Sequence, residues 1–177
     1  MSVRLHHQSA DAIHFDLLWQ YVGAYPEREV ARCHGLSHWK RVEKYGLRIV
    51  RYSGADATVV RLFALFHDAA RVNNDIDEEH GPRAAELAKE LCNILYTLDD
   101  SRFDLLYEAC KYHADGGLTS DPTIGTCWDA DRLDLWRVHV QPDEKQMNTV
   151  RGKELARRYK RLALRHTEQF SPPRFFD

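Results

Sequence analysis

The segment ALFHDAAR, residues 64–71, ends the most apolar stretch of the chain and carries a histidine and an aspartate side by side. The eight residues from Val59 to Phe66 are apolar except for Arg61. A membrane-spanning helix needs roughly 20 such residues, so this stretch predicts a buried helix of a globular protein. We therefore expect His67 and Asp68 to lie in a helical core, where buried polar groups need partners.

Away from this segment the pattern stays helical. Gly and Pro residues divide the chain into segments with helical periodicity, and strand patterns are almost absent. We predict an all-α fold, with helices over residues 9–22, 37–53, 56–71, 80–97, 101–114, 122–138 and 145–168. Ser37 and Asp56 suit helix N-caps, and Gly54 suits a helix end. The 177 residues fit one domain, with a core over about 30–140 and the carboxyl-terminal helix, about 145–168, packed on it.

The composition excludes several classes of partner. The 25 Lys and Arg residues nearly balance the 27 Asp and Glu residues, so no global field draws the protein to nucleic acid or to an anionic membrane. The basic residues near the carboxyl terminus belong to an amphipathic helix whose apolar side is Leu155, Tyr159 and Leu162, which is typical of a solvated face. A polar amino terminus and four widely spaced cysteines predict a cytoplasmic protein with free thiols.

Four of the ten histidines fall on the apolar faces of predicted helices, as does one aspartate. These residues are His38, His67, His80, His113 and Asp131. A single histidine on an apolar face is more often a core residue than a ligand. Four imidazoles and a carboxylate in one core, however, need a common partner, and a metal ion supplies it. Histidine nitrogen with carboxylate oxygen suits divalent transition metals, and the absence of clustered cysteines argues against a structural zinc site.

The order of these residues resembles the HD-domain superfamily of metal-dependent phosphohydrolases, which are all-helical and are named for a consecutive His-Asp pair. The resemblance lies in HGLSHWKRV at His38, ALFHDAAR at His67 and Asp68, and DADRLDL at Asp131. It implies an HD-domain helical bundle. The chain as a whole is similar to bacterial HD-domain proteins without an assigned substrate.

Two further segments resemble the additional histidines of HD enzymes that hold two metal ions. They are HGPRAAEL at His80 and KYHADG at His113, and they are similar in particular to bacterial HD-type hydrolases that split diadenosine tetraphosphate. Two features depart from that pattern. The interval from Asp68 to His80 is 80 − 68 = 12 residues, which is short, and Ala114 follows His113 where a second histidine often stands.

The resemblance implies a role for each of these side chains. A first metal ion would be held by His38, His67, Asp68 and Asp131, and Asp68 would bridge to a second ion held by His80 and His113. The implied reaction is hydrolysis of a nucleotide or another small phosphate ester by a metal-bound hydroxide that attacks phosphorus, with Asp68 as the catalytic carboxylate. One ion or two, and Mn, Fe, Co, Ni, Zn or Mg, stay open.

Three arginines near these segments are candidates for substrate binding. Arg71 occupies the position where many HD enzymes carry a phosphate-contacting lysine, and its guanidinium suits a phosphate. A surface ion pair with Asp75 or Asp77 explains it equally well. Arg83 and Arg132 lie close to His80 and Asp131 in sequence and face either the pocket or solvent.

Other polar residues flank the proposed ligands. His34 precedes His38 by four residues and shares its helix face if the helix extends that far, so it is a candidate to orient a ligand or to contact substrate. Asp129 and Asp134 stand on either side of Asp131, and we expect them to be solvated or to cap helices.

Two other functions stay open at this stage. Some HD-fold proteins are mixed-valent di-iron oxygenases, and a complete two-metal ligand set would favour that chemistry. Alternatively, the metal is structural and the protein is a regulatory or binding module. We expect a small phosphorylated substrate, no membrane and no nucleic acid as partners, and the sequence does not indicate an oligomeric state.

Overall fold

The structure is a computed structural model that describes residues 13–25 and 31–165. Within these ranges it contains eight α-helices, two 3₁₀ turns and no β-strand, apart from an isolated bridge between Cys92 and Tyr96. The helices are α1 (Phe15–Gly23), α2 (Ala31–His34), α3 (Leu36–Ser53), α4 (Ala57–Phe66), α5 (His80–Leu91), α6 (Asp100–Tyr112), α7 (Pro122–Leu133) and α8 (Val150–Arg165), and the 3₁₀ turns are Leu135–Val138 and Glu144–Gln146. The predicted all-α fold is confirmed.

The largest differences from the predicted helices occur at their carboxyl-terminal ends. The helix predicted over 56–71 ends at Phe66, and a turn follows it. The helix predicted over 80–97 ends at Leu91, because the backbone extends at Cys92 and takes a positive φ of 64° at Asn93. The helix predicted over 122–138 ends at Leu133 and passes into the first 3₁₀ turn.

Smaller differences affect the helix starts. Gly35, not Ser37, is the N-cap of α3, whereas Asp56 caps α4 as predicted, since its carboxylate accepts from two backbone N–H groups. The carboxyl-terminal helix predicted over 145–168 begins at Val150, after the second 3₁₀ turn. The predicted helical positions 9–12 and 166–168 lie outside the described residues.

Helix α3 packs on both α4 and α7 at the centre of the molecule. Gly46 permits this close approach, because a Cβ built there would lie 2.4 Å from Val60 Cγ1 and 3.6 Å from Ala130 Cβ. Around this contact Val42 and Ile49 are fully buried. The packing brings the interior faces of α3, α4 and α7 together.

Helices α5 and α6 form a second close pair. Gly81, in the first turn of α5, lies against the last turn of α6, where a Cβ would meet the carbonyl oxygen of Lys111 at 2.5 Å. Only a residue without a Cβ lets the two helix ends approach this closely. The start of α5 is therefore held against the end of α6.

Helix α8 covers the outer side of the bundle. It contacts α7 and α3, and it buries Leu155, Ala156 and Tyr159. Among the helices of the described ranges, none is long and apolar enough to cross a membrane.

Candidate metal centre

The structure brings the six side chains predicted as metal ligands together in the interior. Three lie within helices or at a helix start: His38 on α3, His80 at the first position of α5 and Asp131 on α7. His67 and Asp68 occupy the turn after α4, and His113 follows the last residue of α6. A cavity of about 270 Å³, which we call the metal cavity, opens onto this group.

Three of these side chains and one oxygen of Asp68 form what we call the first half-site: His38, His67, Asp131 and Asp68 Oδ2. The Nε2 atoms of His38 and His67 are 3.0 Å apart. His38 Nε2 lies 3.3 Å from Asp131 Oδ1 and 3.5 Å from Asp68 Oδ2. His67 Nε2 lies 3.7 Å from each of the same two oxygens.

The other oxygen of Asp68 belongs to what we call the second half-site: His80, His113 and Asp68 Oδ1. The Nε2 atoms of His80 and His113 are also 3.0 Å apart. They lie 3.6 Å and 3.7 Å, respectively, from Asp68 Oδ1. The two oxygens of one carboxylate thus face two different pairs of imidazoles, which is the arrangement of a bridging ligand.

The Nδ1 atoms of the first half-site fix the tautomers of its imidazoles. His38 Nδ1 donates to Asp134 Oδ2 at 2.7 Å, and Arg41 in turn donates to both oxygens of Asp134. His67 Nδ1 lies 3.2 Å from the carbonyl oxygens of Phe63 and Ala64 at the end of α4. These oxygens only accept hydrogen bonds, so each Nδ1 carries the hydrogen and each Nε2 keeps a lone pair.

The same reasoning applies to the second half-site. His80 Nδ1 donates to the carbonyl oxygen of Asp77, and His113 Nδ1 donates to that of Cys110 at 2.7 Å. Within the described part of the chain, Asp131 Oδ1 is buried and has no hydrogen-bond partner. Four imidazole Nε2 atoms converge here with oxygens of Asp68 and Asp131, so the donor set fits divalent metal ions. Two groups of ligand atoms are close enough to hold one ion each: His38, His67 and Asp68, and Asp68, His80 and His113.

In the metal-free protein, protons occupy part of the place that metal ions would take, so an imidazole with a raised pKa carries a second proton. Burial acts to lower the pKa of His38, but the nearby carboxylates of Asp131, Asp134 and Asp68 outweigh it and raise the pKa to about 10. Burial dominates at His67 and lowers its pKa to about 3. The first imidazole pair thus combines one raised and one lowered pKa.

In the second half-site, burial and the charge of His113 lower the pKa of His80. The pKa of His113 is raised, because its interactions with Asp68 outweigh burial. Burial also acts to raise the pKa of Asp68, but the surrounding imidazoles hold it well below its usual range. Asp68 is therefore a carboxylate at neutral pH.

Sequence and structure comparisons place this geometry in a known family. The family model described as "HD domain" matches residues 35–172, which is most of the chain. The chain belongs to the HD-domain family. A crystal structure of a predicted HD superfamily hydrolase from an uncultured Thermotogales bacterium, at 1.45 Å resolution, has the same fold. It superposes with a TM-score of 0.72 and 22% sequence identity, over 88% of this chain and 90% of that chain. No curated protein sequence matches the chain.

Arg71 follows the HD pair by one helical turn's distance and lines the metal cavity. Its Nε donates to the carbonyl oxygen of Asn73 at 3.0 Å, and one terminal nitrogen donates to that of Asp75 at 2.6 Å. The other terminal nitrogen lies 3.8 Å from Asp68 Oδ1. Backbone oxygens, rather than the carboxylates of Asp75 or Asp77, therefore hold this guanidinium beside the metal centre.

The other two predicted arginines differ in position. Arg132 lines the metal cavity, but its terminal nitrogens donate to the carbonyl oxygens of Gln146 and Gly117 at 2.6 Å and 2.8 Å. Arg83 lines a neighbouring cavity and donates to Asp77 and to the carbonyl oxygen of Ala70. Both guanidinium groups are used to hold segments of the chain.

His34 and Arg137 complete the wall of the metal cavity. His34 Nδ1 lies 2.8 Å from Asp68 Oδ2, which agrees with the predicted position next to a ligand. Arg137 was missed by the sequence reasoning. Its terminal nitrogens lie 3.9 Å from Asp68 Oδ2 and 4.0 Å from Asp131 Oδ1, while its Nε donates to the carbonyl oxygen of Cys33.

The reason for missing Arg137 is the predicted helix over 122–138. Six residues after Asp131, a continuous α-helix places a side chain about 240° away from it. The helix instead ends at Leu133, and the 3₁₀ turn that follows carries Arg137 back to the cavity. Nothing in the periodicity marks that change.

Asp134 occupies the C-cap position of α7, but its side chain was misjudged, because it is buried and holds His38 rather than being solvated. Its spacing of three residues from Asp131 was an available signal, since residues three apart share a helix face. Asp129 is buried as well, but away from the metal centre. Its carboxylate accepts from Asn148 and Thr149, which precede α8, so Asp129 is neither solvated nor a helix cap, and the expectation is wrong for this residue.

Proposed function

We propose that this HD-domain protein is a metal-dependent phosphohydrolase that acts on a nucleotide or another small phosphate ester. One observation carries the proposal: the two oxygens of Asp68 face two different imidazole pairs, and Asp131 Oδ1, beside the first pair, is buried without a hydrogen-bond partner among the described residues. Ligand sets that share a carboxylate suit two ions about 3.5–4 Å apart, an arrangement typical of enzymes that act at phosphorus.

The ligands are assigned from this geometry. His38, His67, Asp131 and Asp68 Oδ2 would hold the first ion, and His80, His113 and Asp68 Oδ1 the second. Four imidazole ligands favour Mn, Fe, Co, Ni or Zn over Mg, which prefers oxygen ligands. Bound divalent ions would activate water for attack at phosphorus and neutralise phosphate oxygens.

Two arginines are positioned to bind the phosphate. Arg71 and Arg137 approach Asp68 from the sides of its two oxygens, at 3.8 Å and 3.9 Å. Neither forms a short ion pair there, because backbone carbonyl oxygens hold both guanidinium groups. Their remaining N–H groups would donate to the non-bridging phosphate oxygens and bind them bidentately. Arg132 would stabilise the shape of the metal cavity, because it donates to the carbonyl oxygens of both Gly117 and Gln146.

His34 has a positioning role in this proposal. Its Nδ1 donates to Asp68 Oδ2 and limits the rotation of the bridging carboxylate. The hydrogen bond orients Asp68 so that one oxygen faces each half-site.

The second candidate is a di-iron oxygenase, because the six-residue ligand set with a shared carboxylate is complete for that chemistry too. The arginines favour the hydrolase, since two guanidinium groups in one small cavity suit an anion with several oxygens. A structural metal in a regulatory module is the third possibility.

The test is turnover by protein loaded separately with Mn, Fe, Co, Ni, Zn or Mg. The substrates are nucleoside mono-, di- and triphosphates, dinucleoside polyphosphates and sugar phosphates, and the products are measured by chromatography and phosphate release. We expect metal-dependent release that the variant Asp68→Ala lacks, without oxygen uptake. Substrate-dependent oxygen uptake by the iron-loaded protein would instead favour the oxygenase. No turnover, together with unfolding on metal removal, would leave only a structural metal.

A further inference from the structure

A second cavity, of about 670 Å³, lies next to the metal cavity. The segment from Ala69 to Val72 forms one wall, and residues of α5 and α6, together with Tyr25 after α1, form the others. Arg71 lines both cavities, so its guanidinium marks the place where they adjoin. The metal cavity, at about 270 Å³, is below the roughly 300–1,000 Å³ of small-molecule sites, whereas the second cavity falls within that range.

The shape of the second cavity is held by hydrogen bonds. Arg83 on α5 donates to the carbonyl oxygen of Ala70 at 3.0 Å and to Asp77 Oδ2 at 2.6 Å. The same oxygen of Asp77 accepts the backbone N–H of Val72 at 3.1 Å. These bonds fix the wall over Ala70 to Val72 at one position relative to α5. The space between this wall and α5 is therefore a pocket that exists before a ligand binds.

The lining of the second cavity has an apolar body and a polar rim. Ala69 and Leu87 are buried and contribute apolar surface, and Tyr107 contributes an aromatic ring. Glu86 and Glu90 lie one helical turn apart on the same face of α5, at the rim. Glu86 already accepts from the hydroxyl of Tyr107, whereas the exposed carboxylate of Glu90 can accept from an occupant. The guanidinium of Arg71 instead favours an anionic group where the two cavities adjoin.

At about 270 Å³, the metal cavity is small for a whole nucleotide. The organic part of a phosphorylated substrate must then lie next to it, and the cavity that shares Arg71 is adjacent. A nucleobase has flat apolar faces for the walls and amino groups that donate to carboxylates. A simple sugar would leave the apolar walls uncovered, and an alkyl chain would make no use of the exposed carboxylate of Glu90.

We propose that the second cavity binds the nucleoside of a nucleotide substrate, whose phosphate extends past Arg71 into the metal cavity. The cleavage of that substrate rests on the proposed function, whereas binding of the nucleoside does not.

The experiment titrates the metal-free, ¹⁵N-labelled protein with adenosine, guanosine and cytidine, which carry no phosphate, and follows backbone amide shifts. We expect saturable shifts at Ala69, Val72 and Tyr107. The variant Val72→Trp places an indole in the cavity and should weaken binding at least about tenfold. The matched control is Ile94→Trp, at a side chain that is 73% exposed and outside the cavity, and it should bind as the unaltered protein does.

Equal nucleoside affinity in Val72→Trp and Ile94→Trp, shifts confined to other surfaces, or no saturable shift would each overturn the inference. Kinetics of the metal-loaded protein separate it from the proposed function. Val72→Trp should lower kcat/KM for a nucleotide at least about tenfold more than for p-nitrophenyl phosphate. Nucleoside binding at these residues without cleavage of any phosphate ester would support the inference and contradict the proposed function. Cleavage of phosphate esters in which Val72→Trp lowers kcat/KM equally for both substrates would support the proposed function and contradict the inference.

Discussion

The two half-sites contain similar imidazole pairs, but different parts of the fold build them. In the first, the side chains of His38 and His67 are 1% and 0% exposed, and they come from the central packing of α3 and α4. In the second, the side chains of His80 and His113 are 8% and 3% exposed and stand where α5 begins and α6 ends. The first depends on the core, and the second on the contact between two helix ends.

The atoms that orient the imidazoles differ as well. In the first half-site a charged pair, Asp134 with Arg41, holds His38. In the second half-site only backbone carbonyl oxygens hold the two Nδ1 atoms. A carboxylate makes a stronger hydrogen bond than a carbonyl oxygen and raises the basicity of the ligand. We therefore expect the first half-site to bind its ion more tightly than the second.

The largest expected effect comes from the one residue that both half-sites share. Asp68→Ala removes an oxygen from each and should abolish binding of both ions and all metal-dependent activity. Elemental analysis after desalting measures the metal content, and circular dichroism checks the fold. Two ions retained in the variant would show that Asp68 does not bridge the half-sites.

Gly81→Ala should separate the half-sites. Its Cβ would lie 2.5 Å from the carbonyl oxygen of Lys111, so α5 must move away from α6 and carry His80 with it. Metal content should fall from two ions to one. Gly117→Ala is the control, because a Cβ there meets only Trp128 at 4.0 Å. Two tightly bound ions in Gly81→Ala would contradict the role assigned to the helix-end contact.

Asp134→Asn should weaken binding of the first ion about 10- to 100-fold, because His38 loses its charged partner. Asp129→Asn is a matched variant, since both aspartates are buried near the end of α7. Asp129 bonds to Asn148 and Thr149, so its replacement should lower the free energy of unfolding by about 1–3 kcal/mol without changing metal affinity. Titration calorimetry and chemical denaturation measure the two effects. Equal metal affinities in the two variants would refute this division of roles.

The smallest effect is the pH dependence of metal affinity. A raised pKa means that the metal-free imidazole stays protonated to higher pH, and that proton must leave before Nε2 binds an ion. Affinity for the first ion should therefore rise with pH, about tenfold per unit for each displaced proton, until the pH nears the value of about 10 for His38. Calorimetry in buffers of different ionisation enthalpy counts the protons released. Binding without proton release would contradict the protonated state of His38.

The sequence was sufficient for the parts of the site that local patterns encode. His38 and Asp131 lie within helices, so apolar periodicity was enough to place them on interior faces. His67 and His113 stand just beyond helix ends, where periodicity still pointed inward although the predicted helices were too long at 56–71 and 101–114. Asp68 became a ligand candidate through the resemblance to HD-domain proteins.

Tertiary structure decided the rest. The close approaches at Gly46 and Gly81 depend on which helices pack together, and no local pattern states that. Arg137 returns to the cavity only because α7 ends early, and Arg71 is held by carbonyl oxygens whose positions follow from the loop after it. A sequence read by periodicity cannot anticipate such contacts.

The proposed function depends above all on Asp68 bridging two metal ions. Anomalous diffraction from crystals of the metal-loaded protein would locate these ions. We expect two peaks, one beside His38, His67 and Asp131 and one beside His80 and His113, with a different oxygen of Asp68 at each. A single peak, or two peaks of which one does not contact Asp68, would contradict it.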